Sequence, residues 1–191
     1  MKALEEKIRR EGVVLTEDIL KVGSFLNQQV DAAFMLEIGQ EIARLFKEDK
    51  VDKVLTLESS GIIMSVPAAA ALGVPVLIAK KSPASTQTGK TYSSKVTSFT
   101  HGNTYFATVG AEYLKAGERV LIVDDFLARG AALVGLCDIV KQAGAVAVGA
   151  AIVIEKQYQG GGDKLRAEGL RIESLAKIVK MSPMEGITFA D

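Results

Sequence analysis

Two adjacent carboxylates in the middle of the chain offer the clearest chemistry in the sequence. They follow the short run Val120–Val123, whose apolar and β-branched residues are typical of a strand buried on both faces. Asp124 and Asp125 come directly after this run. Because ligands in open α/β sheets bind at the carboxyl ends of strands, these two acids are placed to contact a bound ligand.

A turn of small residues follows the acids, and an apolar pattern of helical period comes next. Unpaired N–H groups at a helix N-terminus attract an anion, and small residues let the backbone approach it closely. The segment therefore predicts a phosphate-binding loop that consists of Ala128, Arg129, Gly130, Ala131 and Ala132. A simpler alternative is that the acids only cap the helix that follows.

Two further strand ends carry polar side chains. Residues 53–58, KVLTLE, predict a strand that ends in a turn containing Ser59 and Ser60. The next predicted strand, Val76–Lys80, ends in the pair Lys80 and Lys81. Because ligands bind at the carboxyl ends of strands, the turn with Ser59 and Ser60 is a second, weaker indication of a ligand site at this edge of the sheet. The alternative for the two lysines is a solvated strand edge.

Composition and length exclude several classes of protein. At 191 residues, the chain suits one domain, residues 1–191, with a substantial core. Lys plus Arg equals Asp plus Glu at 23 each, so no net charge favours nucleic acid or a membrane surface. The single cysteine, Cys137, excludes an internal disulfide framework and favours the cytoplasm. No stretch has the length and apolarity of a membrane span.

The order of the remaining elements predicts how the acids are held. Met1–Glu11 is predicted to be a helix, and Asp31 is the predicted N-cap of a second one. The stretch Ile62–Leu72 is predicted to be helical, and Pro67 requires either a late start or a kink. Ala147–Ile154 is the last buried strand predicted. This alternation of strands and helices favours a parallel sheet with helices on both faces.

Other segments are predicted to lie outside the central sheet. Pro83–Thr97 is a long polar loop of the kind that forms a lid. A hairpin is expected to begin at Val96 and to return through Thr104–Val109, with His101, the only histidine, as a surface turn residue. Gln159–Asp163 is predicted to be a flexible turn, and two peripheral strands are expected after it, at Leu170–Ile178 and Ile187–Phe189.

The segment VLIVDDFLARGAA resembles the phosphoribosyl-diphosphate (PRPP) loop of the type I phosphoribosyltransferases. The resemblance extends along nearly the whole chain. EGVVLTEDILKVGSFLNQQVD, LTLESSGI, VTSFT, IVDDFLA, IVKQAGA and IVIEK are similar, in order and spacing, to the bacterial members of this family that use xanthine. The resemblance implies the type I fold, which is a central parallel sheet flanked by helices, with a mobile hairpin or loop and an N-terminal hood, for which residues 13–30 are the candidate.

The resemblance also implies an activity. Xanthine and PRPP would give xanthosine 5′-monophosphate and pyrophosphate, with Mg²⁺ bound mainly through PRPP or pyrophosphate. The alternatives are another 6-oxopurine (guanine or hypoxanthine), a PRPP-binding regulator, or a noncatalytic partner subunit. The family implies a homodimer in the cytoplasm, with no nucleic-acid or membrane partner.

The residue roles that the resemblance implies fall into three groups. The catalytic pair is Asp124 and Asp125. PRPP would be bound by residues 128–132 together with Ser59, Ser60, Lys80 and Lys81. The purine base would be bound by Leu20, Asn27 and Lys156. Without the resemblance, Asn27 reads as a surface amide and Lys156 as a solvated lysine at a strand end.

The predicted phosphate loop departs from the family pattern. Family members usually carry Thr or Ser where this chain has Arg129 and Ala132. Arg129 would therefore either supply a charge-assisted contact to the phosphate or point to solvent. Ala128 stands where hypoxanthine-guanine enzymes carry an acidic base, so no side chain of the loop can take a purine proton.

Overall fold

The computed structural model describes residues 1–81, 89–97 and 104–190. The strands in these ranges are β1 (Val13–Val14), β2 (Leu20–Lys21), β3 (Lys53–Leu57), β4 (Val76–Ala79), β5 (Thr91–Thr97), β6 (Thr104–Gly110), β7 (Arg119–Leu127), β8 (Val146–Lys156), β9 (Ile172–Ser182) and β10 (Gly186–Phe189). The α-helices are α1 (Lys2–Glu11), α2 (Ala32–Phe46), α3 (Gly61–Leu72), α4 (Ala131–Gln142) and α5 (Gly161–Ala167). Gly23–Asn27 forms a π-helical turn, and 3₁₀ turns cover Lys47–Asp49, Ala111–Tyr113 and Gln157–Gln159. None of the helices in these ranges is long and apolar enough to cross a membrane.

The central sheet has the strand order β10-β9-β8-β7-β3-β4. β3, β4, β7, β8 and β9 pair in parallel, and β10 is an antiparallel edge strand. β7 lies between β3 and β8, and Val120–Val123 are fully buried because elements cover both faces of the sheet. The predicted α/β fold with a central parallel sheet is confirmed.

Helices and a hairpin cover the two faces of this sheet. One apolar cluster packs α1, α2 and α3 against the first face, and a second packs α4 and the β5–β6 hairpin against the other. Asp31 begins α2 by accepting a hydrogen bond from the Phe34 N–H at 3.2 Å. α2 and α3 approach closely, because a Cβ on Gly39 would lie 2.6 Å from the carbonyl carbon of Pro67.

The structure decides between the two alternatives for α3 and corrects one local prediction elsewhere. α3 begins at Gly61, so Pro67 lies inside the helix and the late-start alternative fails. Pro67 removes one backbone donor from the interior of this helix. Residues 91–97, predicted as loop, are strand β5, because they pair with β6 along its whole length. Residues 83–88 of the predicted mobile loop and residues 98–103 at the hairpin tip, including His101, lie outside the described residues.

The segment after β8 also differs from its prediction. Gln159–Asp163 was expected to be a flexible turn, but it contains the end of a 3₁₀ turn and the beginning of α5. Leu170–Ile178 was expected to be peripheral, whereas β9 lies within the sheet between β8 and β10. Ala147–Ile154 is therefore not the last buried strand. These contacts join residues far apart in the chain, so a local pattern does not show them.

A buried ion pair fixes α5 to the sheet. Glu155 on β8 is fully buried, and its carboxylate accepts hydrogen bonds from Arg166 at 2.8 and 2.6 Å and from the Ser174 hydroxyl. Burial acts to raise the pKa of the Glu155 carboxyl, but the hydrogen bonds from Arg166 and Ser174 outweigh it. The pKa therefore lies below its ordinary value of 4.5.

Glu155→Gln is expected to remove an acid-sensitive part of the stability. A carboxyl with a lowered pKa stabilises the fold fully above its ordinary pKa of about 4.5, and this stabilisation is lost as the pH falls through the lowered value. Melting temperatures at pH 7 and in steps below pH 5 should show the wild type approaching the variant on acidification. A gap that stays constant down to pH 3 would contradict this.

Candidate active site

A cavity of about 140 Å³ opens at the carboxyl end of β7. Its lining includes Asp124, Phe126 and the whole predicted phosphate loop, residues 128–132. Tyr105 and Thr97 from the β5–β6 hairpin line the other side, so two distant segments enclose the space. The cavity thus lies where ligands bind in parallel sheets, at the carboxyl ends of the strands.

The two acids occupy different environments. β7 continues through Leu127, so both acids lie within the strand and not after it. Consecutive strand residues point to opposite faces, and of the two acids it is Asp124, only 9% exposed, that lines the cavity. Asp125 is half-buried, and its N–H donates to Asp124 Oδ1 at 3.0 Å.

Asp124 is the strongly perturbed titratable group of this cavity. Burial raises the pKa of its carboxyl well above the ordinary value, and the nearby charge of Asp125 raises it further. Lys81 acts in the opposite direction. A buried acid with a raised pKa beside a ligand cavity is typical of a functional group.

The phosphate loop is a short turn that opens directly into α4. Gly130 adopts φ +85°, a left-handed conformation that favours glycine. The helix begins at Ala131, two residues before the start of the predicted apolar pattern, so residues 131 and 132 belong to its first turn. The N–H groups of that turn have no partner earlier in the helix and can donate to an anion. Arg129 is exposed at the rim of the cavity.

A second group of polar residues forms where β3 and β4 end. The Glu58 carboxylate accepts a hydrogen bond from the Lys81 N–H at 2.6 Å and pairs with Lys80 Nζ at 3.2 Å. Ser59 and Ser60 form the turn into α3, where their carbonyls accept the first N–H groups of the helix. The structure therefore brings together all four residues predicted at these two strand ends.

This polar group lies beside the cavity. Lys81 Nζ is 5.4 Å from the centre of the Tyr105 ring, and Tyr105 lines the cavity. The charge of Asp124 also helps to raise the pKa of the Tyr105 hydroxyl, after burial as the main cause. Sequence reasoning named the lysines but missed Glu58 as the side chain that positions them.

The predicted base-binding residues are only partly brought together. Lys156 ends β8, and its Nζ lies 5.4 Å from the centre of the Phe126 ring and donates to the Asp18 carbonyl at 2.5 Å. Burial lowers the pKa of its ammonium group, against the charge of Asp18. Leu20 is buried in the apolar cluster on which Phe126 packs. Asn27 is exposed at the end of the π-helical turn, so its role stays a prediction.

The N-terminal hood is fastened to this end of the site. Besides the Lys156 contact, the Tyr158 hydroxyl donates to the Glu17 carbonyl at 2.7 Å. The Gln159 amide donates to Asp18 Oδ1 at 2.8 Å. These contacts join residues that are about 140 positions apart in the sequence, so no local sequence pattern indicates them. Phe126 could have been found, because it shares a strand face with Asp124 two residues earlier.

The fold and site define an α/β class in which a parallel sheet presents an acid pair and the predicted phosphate loop at one edge. The solved structure of APRTase from Giardia lamblia complexed with 9-deazaadenine has this fold, with a TM-score of 0.77. The two chains are 19% identical, and the match covers 91% of this chain and 97% of that one.

Sequence comparison identifies the family. The chain matches the phosphoribosyl transferase domain over residues 27–172, and it belongs to the phosphoribosyltransferase family. A relative from Brevibacillus brevis named xanthine phosphoribosyltransferase is 52% identical over 191 residues, which is 100% of this chain and 97% of the relative. A relative from Bacillus cereus, also named xanthine phosphoribosyltransferase, is 49% identical over 181 residues, which is 95% of this chain and 92% of the relative. The resemblance found in the sequence is confirmed.

Proposed function

We propose that this chain is a purine-salvage enzyme that converts xanthine and PRPP to xanthosine 5′-monophosphate and pyrophosphate. The observation that carries the reaction class is the cavity, in which Asp124 and residues 128–132 lie together. The two relatives named xanthine phosphoribosyltransferase, about half identical over nearly the whole chain, support xanthine as the base.

The first step of the mechanism is binding of the sugar phosphate. The backbone N–H groups of the loop and of the first turn of α4 bind the 5′-phosphate. The carboxylates of Asp124 and Asp125 accept hydrogen bonds from the ribose hydroxyls. Arg129, at the rim, can add a charge-assisted hydrogen bond to the phosphate in place of the usual hydroxyl side chain.

Substitution then takes place at the anomeric carbon. The bond from this carbon to the pyrophosphate oxygen breaks while a bond to a purine nitrogen forms, and positive charge develops on the ribose. The proton of that nitrogen passes to water or to the leaving pyrophosphate. The negative charge of the acid pair stabilises that state. Closure of the hairpin over the site would exclude water, which competes with the purine as nucleophile.

The leaving pyrophosphate requires cations and donors. Ser59, Ser60, Lys80 and Lys81 supply hydroxyl, N–H and ammonium groups at the neighbouring strand ends. The acid pair also suits Mg²⁺, because this ion prefers oxygen ligands and takes many of them from phosphates and water. Asp124 or Asp125 would hold an ion that is otherwise carried by PRPP, and the ion would neutralise charge on the leaving group.

Base recognition is proposed for the end of the cavity nearest the hood. The Lys156 ammonium would donate to an exocyclic oxygen of the purine, and Phe126 and Leu20 would supply apolar contact. The Asn27 amide would hydrogen-bond to another edge of the purine ring. Guanine and hypoxanthine also carry an exocyclic oxygen, so they are the alternative substrates, whereas the amino group of adenine cannot accept this donor.

The direct test is a substrate survey of the purified protein. PRPP, Mg²⁺ and each of xanthine, guanine, hypoxanthine and adenine would be supplied, and pyrophosphate and the nucleotide product would be measured. We expect the highest kcat/KM with xanthine and no turnover with adenine. PRPP binding without pyrophosphate release from any purine would favour a PRPP-binding regulator instead.

The proposed assembly is a homodimer. α3 contains no charged residue, and Ser65 is its only polar side chain, yet Val66 on this helix is 53% exposed. A helix that is apolar on every side is normally covered on every side. A second copy of this chain would cover the exposed side. We also propose that residues 1–191 form one domain and that the enzyme acts in the cytoplasm.

Sedimentation is expected to show a dimer at micromolar concentration. Val66→Glu should shift the protein towards monomer, because a charge would have to be buried at the interface. Val146→Glu is the matched control, since Val146 is 48% exposed at the start of β8. A fully active wild-type monomer would contradict the proposal.

A further inference from the structure

The backbone of α5 lies directly against the phosphate loop. The Gly161 N–H donates to the Ala128 carbonyl oxygen at 3.2 Å. A Cβ on Gly161 would lie 2.4 Å from that oxygen, 2.4 Å from the carbonyl carbon of Arg129 and 2.7 Å from the nitrogen of Gly130. All three distances are too short for a real Cβ contact. Only glycine therefore permits this approach.

A second contact from the same helix reaches the loop at Gly130. A Cβ built on Gly130 would lie 3.1 Å from Cδ1 of Leu165, which is a buried residue of α5. The loop thus touches α5 through the backbone of Gly161 and the side chain of Leu165. Its cavity side, by contrast, faces the space proposed for the phosphate.

α5 is in turn fixed to the sheet by the buried ion pair of Glu155 and Arg166. A Cβ on Gly162 would lie 2.0 Å from Glu155 Oε1, so this glycine also has no room for a side chain. The contacts form a continuous series from β8, through Glu155 and Arg166, to α5 and then to the loop. The glycine-rich segment, residues 160–162, is therefore in contact with both the sheet and the loop.

We propose that α5 positions the 5′-phosphate loop, with Gly161, Gly162 and the Glu155–Arg166 pair as positioning residues. The inference rests on the proposed assignment of residues 128–132 to the 5′-phosphate. These residues do not touch the substrate. They act by setting the place and orientation of the backbone groups at residues 128–130, because a backbone shift of about 1 Å weakens the contacts of a preorganised site strongly.

The test is Gly161→Ala, with calorimetric binding of two ligands that share the active site. Xanthosine 5′-monophosphate carries the 5′-phosphate, whereas pyrophosphate with Mg²⁺ does not occupy that end. We expect the Kd of the nucleotide to rise roughly ten- to a hundredfold and that of pyrophosphate to change less than twofold. Alanine is a better helix former than glycine, so α5 itself should persist.

Gly110→Ala is the matched control. Gly110 has φ −69°, which alanine adopts, and its new Cβ would meet only side-chain atoms, those of the exposed Tyr113 and of Glu112. It lies at the end of β6 that is distant from the cavity-lining Tyr105. This variant should bind both ligands as the wild type does, with an unchanged melting temperature.

A second pair of variants tests the ion pair. Arg166→Gln should weaken nucleotide binding several-fold, and Arg166→Lys should restore part of it, with pyrophosphate binding unchanged in both. Equal weakening of both ligands, or no weakening of the nucleotide by Gly161→Ala, would overturn the inference. A wild type that binds the nucleotide no more tightly than xanthosine would instead overturn the loop assignment, and the inference with it.

Discussion

Asp124→Asn is expected to lower kcat for xanthine by roughly 10²–10³-fold while the chain still folds. Asp124 lines the cavity beside residues 128–132. In the proposed mechanism, its carboxylate stabilises the positive charge that develops on the ribose. Burial raises the pKa of this carboxyl, so its ionised form destabilises the folded chain at neutral pH. The melting temperature of the variant at pH 7 should therefore equal or exceed that of the wild type.

Steady-state kinetics and thermal melting check this expectation. Asp138→Asn is the matched control, because Asp138 is exposed on the neighbouring helix α4 and hydrogen-bonds Gln142 at 2.9 Å. It should retain wild-type turnover. If Asp124→Asn keeps more than a tenth of the wild-type kcat, the carboxylate has no place in the mechanism proposed above.

The pH profile of Asp125→Asn separates the two acids. This variant is also expected to lose most turnover, roughly 10²–10³-fold, because the second charge of the pair is lost. Burial is the main cause of the raised pKa of Asp124, and the charge of Asp125 is the next. Removing that charge lowers the pKa of Asp124, so the acid side of the kcat/KM profile should move to lower pH. If the acid side of the profile moves to higher pH instead, the charge of Asp125 does not raise the pKa of Asp124.

Lys156→Met is expected to lower kcat/KM for xanthine, guanine and hypoxanthine by roughly ten- to a hundredfold. The variant loses the partly buried ammonium that is proposed to donate to the exocyclic oxygen, and methionine keeps the length of the side chain. The Kd of PRPP, measured without base, should stay almost unchanged, because the proposed phosphate contacts lie elsewhere. Equal losses in base use and PRPP affinity would mean that Lys156 serves the phosphate site or the fold.

The structure adds a second possible cause of such a loss, because Lys156 also donates to the Asp18 carbonyl of the hood. Tyr158→Phe is the control that separates the two. It removes the hydrogen bond to the Glu17 carbonyl on the same loop but leaves the ammonium in place. We expect less than a threefold change in kcat/KM. If Tyr158→Phe lowers kcat/KM as much as Lys156→Met does, the loss in both variants comes from a loosened hood and not from a lost contact with the base.

The central strand β7 and the part of the site that directly follows it in the sequence could be predicted from local patterns. Val120–Val123 are apolar because β7 is buried on both faces, and the acids and small residues follow at once. Asp31 caps α2 through a contact with the Phe34 N–H, three residues away. Such features depend on neighbours in the chain, and the chemistry of each residue type is enough to indicate them.

The glycine-rich segment after β8 shows the limit of that reasoning. Gln159–Asp163 has the composition of a flexible turn, and the sequence alone favoured one. α5 forms because Leu165 is buried, Arg166 pairs with Glu155, and glycine lets the backbone meet the loop. Similarly, β9 lies in the sheet because it pairs with β8. These contacts exist only after the sheet has assembled.

The sequence by itself determined the family and the reaction class, through the resemblance of its motifs to a known family. It also indicated the residues at the strand ends, through their types and spacing. The tertiary structure alone decided that Asp124, and not Asp125, lines the cavity, and that Glu58 positions the lysine pair. It also decided that the hood is fastened at Lys156 and that α5 lies against the backbone of residue 128. The physical reason is that burial and long-range hydrogen bonds depend on which distant segments the sheet brings together, and a linear pattern does not contain that information.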